Sequence, residues 1–196
     1  MGIARANSIS CRSPVISPSI VRLAAVFGFA ALTALAAQVR VPLPGTTVPM
    51  TLQTLAVLLT GFALPPGAAM ASMVVYLVSG MAGLPVFAGG VGTVAIGGVT
   101  WGYLVGFVPA AGLVSLVRAR GTSSVRLSAA GALGTVVVLA SGVAWQVGLS
   151  GSWEATVARG VVPFLPDAVV KLALAVVLAK ACAGAARRTA AAAVES

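Results

Sequence analysis

Charged residues are scarce in this chain, and that scarcity sets the class of protein. Only 8% of the 196 residues are charged and 59% are hydrophobic, and the mean hydropathy is +1.08. A soluble domain carries roughly 25% charged residues, so this chain could not cover a water-exposed surface with polar groups. The composition predicts an all-α membrane protein, a bundle of helices that crosses the bilayer several times.

Groups that bind metals or perform acid–base chemistry are also rare. The chain has no histidine, three acidic residues and two cysteines. Cys11 and Cys182 lie near opposite ends without CxxC spacing, which argues against a metal site or a disulfide framework. No Gly-rich phosphate motif ending in Lys-Ser/Thr is present, so we do not expect this chain to hydrolyse ATP. The net charge of +9 is spread between apolar segments. We therefore expect no metal, no cofactor and no nucleic-acid partner.

Six apolar segments have the composition of membrane-spanning helices. A polar leader (1–20) precedes them and an Ala-rich cytoplasmic tail (181–196) follows, and both are expected to be disordered. The six spans would then form one transmembrane domain over residues 21–180. The predicted spans are 23–39, 51–64, 68–83, 100–117, 127–149 and about 161–180.

The basic residues are divided unequally between the two sides of this predicted bundle. Six spans place both termini on one side, and basic residues are enriched in cytoplasmic loops, so we predict that both termini are cytoplasmic. Alternatively, the first segment, with its basic leader and Ala34-Leu35-Ala36, is a cleavable signal peptide; the even number of spans favours retaining it. The terminal side carries Arg5, Arg12, Arg22, Arg118, Arg120, Arg126, Lys180, Arg187 and Arg188, and the other side carries Arg40 and Arg159.

Two charged residues, Asp167 and Lys171, lie within the last predicted span. An ionised group near the bilayer centre costs about 2.5–3.5 kcal/mol on insertion scales. At positions i and i+4 with the acid first, the two can pair on one helix face. They could be a structural pair, or Lys171 could extend towards the interface. Because Lys171 is far from either end of the span, we favour a pair that faces a wet cavity and offers an acceptor and a donor to a ligand.

Other unusual segments converge on the outer end of the predicted bundle. Polar residues start the second span, TWGY (100–103) opens the fourth, and a Gly-rich stretch, GLPVFAGG (83–90), precedes it. Irregular backbone at membrane depth is tolerated only where it is buried in protein or lines a cavity. Each feature also has a simpler reading as a helix cap, a turn or an interfacial aromatic. The candidate ligand contacts are Asp167, Lys171, Gln53, Gly89, Gly90, Phe87, Tyr103 and Thr51.

Small residues recur four positions apart on the first span, as Ala24 with Gly28 and Ala30 with Ala34. Such pairs indicate close helix packing, either within the bundle or against a partner protein.

Four segments resemble motifs of the BioY family, the biotin-binding membrane subunits, or S components, of energy-coupling factor (ECF) transporters. They occur in the expected order over roughly residues 20–180. The resemblance implies six transmembrane helices, cytoplasmic termini and a biotin pocket open to the outside. The segments are VPMTLQTLAVLLTG (48–61), GLPVFAGG (83–90), GYLVGF (102–107) and PFLPDAVVK (163–171).

The resemblance also implies roles for particular residues. Asp167 and Lys171 match the acid and lysine that contact ligand in the last helix of the family. S components pack small residues of the first helix on a membrane coupling subunit, which binds two cytoplasmic ATPases. Ala24, Gly28, Ala30 and Ala34 are the candidates for that surface, and Gln53, Gly89, Gly90 and Tyr103 fall in other pocket-forming motifs.

The chain departs from the family pattern around the Gly-rich loop. Family members commonly read GPTGGY where this chain has GVTWGY (98–103), and the loop lacks the arginine that some relatives use as a ligand contact. Three rival functions also stay open on the sequence, independently of these departures. They are an S component for thiamine or riboflavin, an intramembrane enzyme, and a structural bundle in which Asp167 and Lys171 form an internal staple. Without histidine, paired acids, or a Ser or Cys beside a base, the enzyme is disfavoured.

Overall fold

Nearly every apolar segment forms a helix in the computed structural model, which describes residues 17–42 and 48–195. Two-residue strands and two single-turn 3₁₀ helices, Thr93–Ala95 and Val162–Phe164, complete the regular structure of the described residues. The helices are α1 (Pro18–Gln38), α2 (Gln53–Ala63), α3 (Pro66–Met81), α4 (Trp101–Ala119), α5 (Ser124–Ser150), α6 (Trp153–Gly160) and α7 (Leu165–Glu195).

Four segments are long and apolar enough to cross a membrane. They are α1, α4, α5 and Trp153–Ala185, which contains α6 and much of α7. Helices α2 and α3 are apolar but have only 11 and 16 residues. A helix of 11 residues rises about 16 Å, roughly half of a 30 Å hydrocarbon core. The predicted multi-pass membrane protein is therefore supported, and six helices correspond in order to the six predicted spans.

Helix α2 is the shortest of these six and lies at the centre, in contact with α1, α3, α4, α5 and α7. Its side chains are correspondingly buried: Val57 and Leu58 have almost no exposed surface. The start of α2 is held by a small antiparallel ladder between β1 (Arg40–Val41) and β2 (Met50–Thr51), in which Arg40 pairs with Thr51. The residues that open α2 are thus presented in the middle of the bundle.

Helix α7 exposes a row of valines and buries Lys171, whereas its other lysine, Lys180, is exposed. Val169, Val170 and Val177 are 67%, 66% and 62% exposed, whereas Lys171 is 5% exposed. This is the reverse of a helix on a soluble protein, which turns its apolar stripe to the core. It is the arrangement expected of a helix that faces lipid on one side and a polar interior on the other.

Two segments differ from the sequence predictions. A loop is expected between the fifth and sixth spans, but Trp153–Gly160 forms α6, capped by the Ser152 hydroxyl, which accepts from the Ala155 N–H at 3.3 Å. The expected disordered tail is helical instead, since α7 continues to Glu195. The tail is rich in alanine, the residue with the strongest helix propensity. The predicted polar leader falls mostly on residues 1–16, which lie outside the described residues.

Candidate ligand-binding site

A cavity opens at the end of the bundle where α2, α4 and α7 begin. It contains about 910 Å³ of space between protein atoms, counting the part open to solvent. The loop between α3 and α4 borders it on one side and the middle of α5 on another. Its apolar wall includes Phe87, Val91, Leu104, Phe107, Leu139 and Phe164.

Lys171 forms the charged centre of this cavity. Its Nζ donates to Asp167 Oδ2, one turn earlier on α7, and to the Thr51 carbonyl oxygen at 2.5 Å. All three residues line the cavity. An ammonium group has three N–H donors, so one donor remains for a ligand after these two bonds are made. The predicted i,i+4 pair is present, and it faces the cavity rather than lipid.

Gln53 adds a neutral polar group beside the ion pair. The Thr51 hydroxyl donates to Gln53 Oε1 at 2.8 Å, and Gln53 Nε2 donates to the Tyr76 hydroxyl at 2.5 Å. Gln53 is 5% exposed. A buried amide is costly unless it is hydrogen-bonded, so these bonds hold it in place at the cavity wall.

Two aromatic residues of the site pack closely against glycines. The ring of Tyr103 lies where a Cβ at Gly142 would be, and its hydroxyl donates to the Gly160 carbonyl oxygen at 2.9 Å. Phe87 occupies the space beside Gly80 in the same way. Glycines on α5 and α3 thereby allow both rings to pack tightly into the bundle.

Gly89 and Gly90 form a turn in the loop between α3 and α4. They are not among the residues that line the cavity. Both have positive φ, 85° and 70°, and the Gly90 N–H donates to the Phe87 carbonyl oxygen at 3.0 Å. Gly89 packs against the guanidinium of Arg40. Left-handed backbone favours glycine, so the turn by itself accounts for both glycines, and their contact with a ligand stays a prediction.

The small residues of α1 are split between two faces of the helix. Ala24 and Gly28 are exposed, Ala34 is partly buried, and Ala30 is 5% exposed within the core. Six residues correspond to about 600° of helical rotation, which places Ala30 on a different face from Ala24. The prediction of a partner-facing Ala30 is therefore wrong: it packs inside the bundle.

Three wall residues are not among the predicted ligand contacts: Thr135 and Leu139 lie outside every motif, and Phe107 ends the GYLVGF segment without an assigned role. Thr135 and Leu139 reach the cavity from the middle of α5, and Phe107 from α4. Thr135 is a polar residue within an apolar run, which is a weak signal because its hydroxyl can bond back to its own helix, here to the Gly131 carbonyl oxygen at 2.9 Å. Within residues 17–42 and 48–195, no group of three or more His, Cys, Asp or Glu side chains could hold a metal ion.

Comparison with known proteins gives consistent results. The BioY family model matches residues 9–188. The chain is 36% identical over 157 residues to the probable biotin transporter BioY of Pyrococcus horikoshii, covering 80% of this chain and 92% of that protein. It is 31% identical over 152 residues to the biotin transporter BioY of Thermotoga maritima, covering 77% and 89%.

A solved structure shares the fold. It is the 2.1 Å crystal structure of the S-component for biotin from an ECF-type ABC transporter, with a TM-score of 0.79 and 20% sequence identity. The match covers 86% of this chain and 95% of that one.

Proposed function

Since this chain belongs to the BioY family, we propose that it binds biotin in the cavity described above and serves biotin uptake as the S component of an ECF-type transporter. The observation that carries this proposal is the Lys171–Asp167 pair, buried within the bundle and turned towards an apolar-walled cavity. Such a site combines hydrophobic surface with a few fixed polar groups, as small-molecule sites generally do.

The chemistry of biotin suits this arrangement. Biotin has a ureido group with two N–H donors and a carbonyl, an apolar thioether ring and chain, and a carboxylate. Asp167 can accept from an N–H, and Lys171 can donate to a carbonyl or a carboxylate oxygen. The apolar wall would bury the ring and chain. Thr51, Gln53, Phe87 and Tyr103 complete the proposed contacts, and Gly89 and Gly90 would shape the loop beside them.

We further propose that α1, α2, α3, α4, α5 and α7 all cross the cytoplasmic membrane, with both termini in the cytoplasm. The distribution of cations supports this orientation. Arg118 and Arg120 end α4, Arg126 lies in the first turn of α5, and Lys180 on α7 bonds Ser124, so these cations lie at the end opposite the cavity. Basic residues concentrate on the cytoplasmic side, and the cavity would then open outward.

The exposed face of α1 is the proposed contact for a membrane coupling subunit, which would carry two cytoplasmic ATPases. Ala24 and Gly28 lie on this face, and a Cβ added at Gly28 would meet no other atom within 4 Å. A helix backbone can approach such small residues closely. In this arrangement the chain selects the vitamin and its partners hydrolyse ATP.

Binding of biotin to the purified protein in detergent tests the proposal. Wild type should bind biotin, and neither thiamine nor riboflavin should compete. Lys171→Ala and Asp167→Asn should both weaken binding while the helical content is retained. Displacement by another vitamin, or no binding by folded wild type, would overturn the biotin assignment. Binding that survives both substitutions would reduce the ion pair to a structural role.

A further inference from the structure

Tyr76 on α3 does not line the cavity, yet a chain of hydrogen bonds connects it to residues that do. Gln53 Nε2 donates to the Tyr76 hydroxyl at 2.5 Å, and the Tyr76 hydroxyl donates to the Val86 carbonyl oxygen at 3.3 Å. Tyr76 is 1% exposed. We infer that Tyr76 is a positioning residue: it fixes the orientation of the Gln53 amide in the ligand site and ties that amide to the loop between α3 and α4. This inference rests on the proposed function for the identity of the ligand.

The direction of each bond follows from the groups at its ends. The Val86 carbonyl can only accept, so the Tyr76 O–H must donate to it. The lone pairs of the Tyr76 oxygen are then left to accept, and Gln53 must turn its NH₂ group towards Tyr76. Its Oε1 consequently lies on the side of Thr51, a cavity residue. An amide can be reversed with little change in shape. The Tyr76 hydroxyl selects this orientation because its proton is donated to Val86 and its oxygen can only accept from Gln53.

The orientation of the Gln53 amide determines which ligand group it can bind. Oε1 has two lone pairs and the Thr51 hydroxyl uses one, so the amide presents an acceptor at the cavity wall. A ligand with N–H donors, such as the ureido group of biotin, would be favoured there. A reversed amide would present N–H groups and leave a ligand N–H without a partner, which is penalised in a buried site.

The aromatic ring of Tyr76 also contacts the loop between α3 and α4. Tyr76 packs edge-on against Phe87, with ring centroids 5.4 Å apart, and Phe87 packs against Trp101 at 6.4 Å. The Phe87 N–H and carbonyl oxygen both bond within the loop, to Val91 and Gly90. Tyr76 therefore holds the loop at two successive residues, Val86 by a hydrogen bond and Phe87 by ring contact. Ligand contact at Gln53 and the position of the loop are coupled through it.

The test compares Tyr76→Phe with Ser72→Ala. Tyr76→Phe keeps the ring and removes only the hydroxyl. Ser72 lies one turn earlier on α3, is fully buried, and donates to the Val26 carbonyl oxygen at 2.9 Å. Ser72→Ala thus removes a buried hydrogen bond from the same helix without touching the loop or the cavity. Two quantities are measured on each protein in detergent: amide hydrogen exchange of residues 84–92 without ligand, and the Kd for biotin.

Tyr76→Phe should accelerate exchange in this loop by about 5- to 10-fold and weaken biotin binding by a similar factor, as expected for loss of a buried hydrogen bond. Ser72→Ala should match wild type in both. If Tyr76→Phe leaves either the amide hydrogen exchange of residues 84–92 or the Kd for biotin unchanged, the inference is overturned. If wild type binds no biotin, the proposed function fails, and the exchange comparison alone still decides whether Tyr76 holds the loop.

A second substitution, at Gln53, tests the other end of this series of hydrogen bonds. Gln53→Met removes the donor to Tyr76 and leaves the ring contacts of the loop in place. It should also accelerate exchange at residues 84–92, but by less than Tyr76→Phe, because the Tyr76–Val86 bond remains. Adding it to Tyr76→Phe should give no further increase, because that variant already lacks the hydroxyl that both bonds need. Additive effects of the two substitutions would contradict a single chain of hydrogen bonds.

Discussion

The Nζ of Lys171 lies 2.5 Å from the carbonyl oxygen of Thr51, a residue 120 positions earlier in the chain. Together with the bond to Asp167, this contact joins α7 to the β2–α2 junction inside the bundle. The lysine is therefore both a cavity group and a tertiary link. These two roles can be separated by experiment.

Removal of one charge should destabilise the protein, and removal of both should not. Lys171→Ala leaves the Asp167 carboxylate buried without its partner, which costs about 3–5 kcal/mol in comparable buried pairs. The double variant Asp167→Leu with Lys171→Met replaces the pair by apolar groups of similar size and should recover most of this loss. Thermal unfolding in detergent gives the stabilities. The double variant should nevertheless fail to bind biotin, since no ionic group remains in the cavity.

A double variant as unstable as Lys171→Ala would contradict this prediction, because the Thr51 contact would then be the main stabilising interaction. Retained biotin binding by the double variant would place the ligand away from α7.

Gly142→Ala should disturb the site from outside the cavity. The added Cβ would overlap the Tyr103 ring, and overpacking of this kind typically costs 1–3 kcal/mol. We expect a lower unfolding midpoint together with weaker biotin binding, because Tyr103 would move from the wall. Gly148→Ala is the matched control on the same helix, since a Cβ there meets nothing within 4 Å. Equal unfolding midpoints and equal biotin affinities in the two variants would mean that the Tyr103–Gly142 contact has no role in the site.

The helices and the ion pair could be predicted from the sequence because their signals are local. Hydrophobic runs indicate spans, and an acid and a base four residues apart can meet on one helix. Tyr76, Thr135 and Phe107 could not be assigned in this way. Whether a side chain on an apolar helix faces lipid, the core or a cavity depends on how the helices pack, and a bundle buried in lipid lacks the polar face that reveals orientation in soluble proteins.

The two glycines of the loop illustrate the same limit. Their pattern indicates close backbone approach, but it does not specify what approaches. In the structure the neighbour of Gly89 is Arg40, contributed by β1 rather than by the loop. Likewise the small residues of α1 form two pairs with the same four-residue spacing, yet only Ala30 lies in the core. Small-residue spacing predicts packing and leaves the partner open.

Gly90→Ala should destabilise the loop without altering the cavity wall. Gly90 has φ of 70° and open space around it, so the cost comes from the backbone alone, about 1–2 kcal/mol for a side chain in left-handed conformation. Gly90→Asn should cost less, because asparagine tolerates this conformation. Faster hydrogen exchange at residues 84–92 in the alanine variant than in the asparagine variant would support this cause. Equal exchange in both would point to a steric rather than a conformational effect.

The two faces of α1 should respond differently to a larger side chain. Gly28→Leu adds bulk on the exposed face, where nothing in this chain is displaced, so biotin binding and thermal stability should stay at wild-type values. If this face contacts a coupling subunit, the variant should fail to co-purify with the ATPase-bearing complex and should lose energised uptake. Ala30→Leu adds the same atoms within the core and should lower the unfolding midpoint by overpacking. Retained co-purification of Gly28→Leu would move the partner surface away from α1, because a leucine there prevents the close backbone approach that small residues permit.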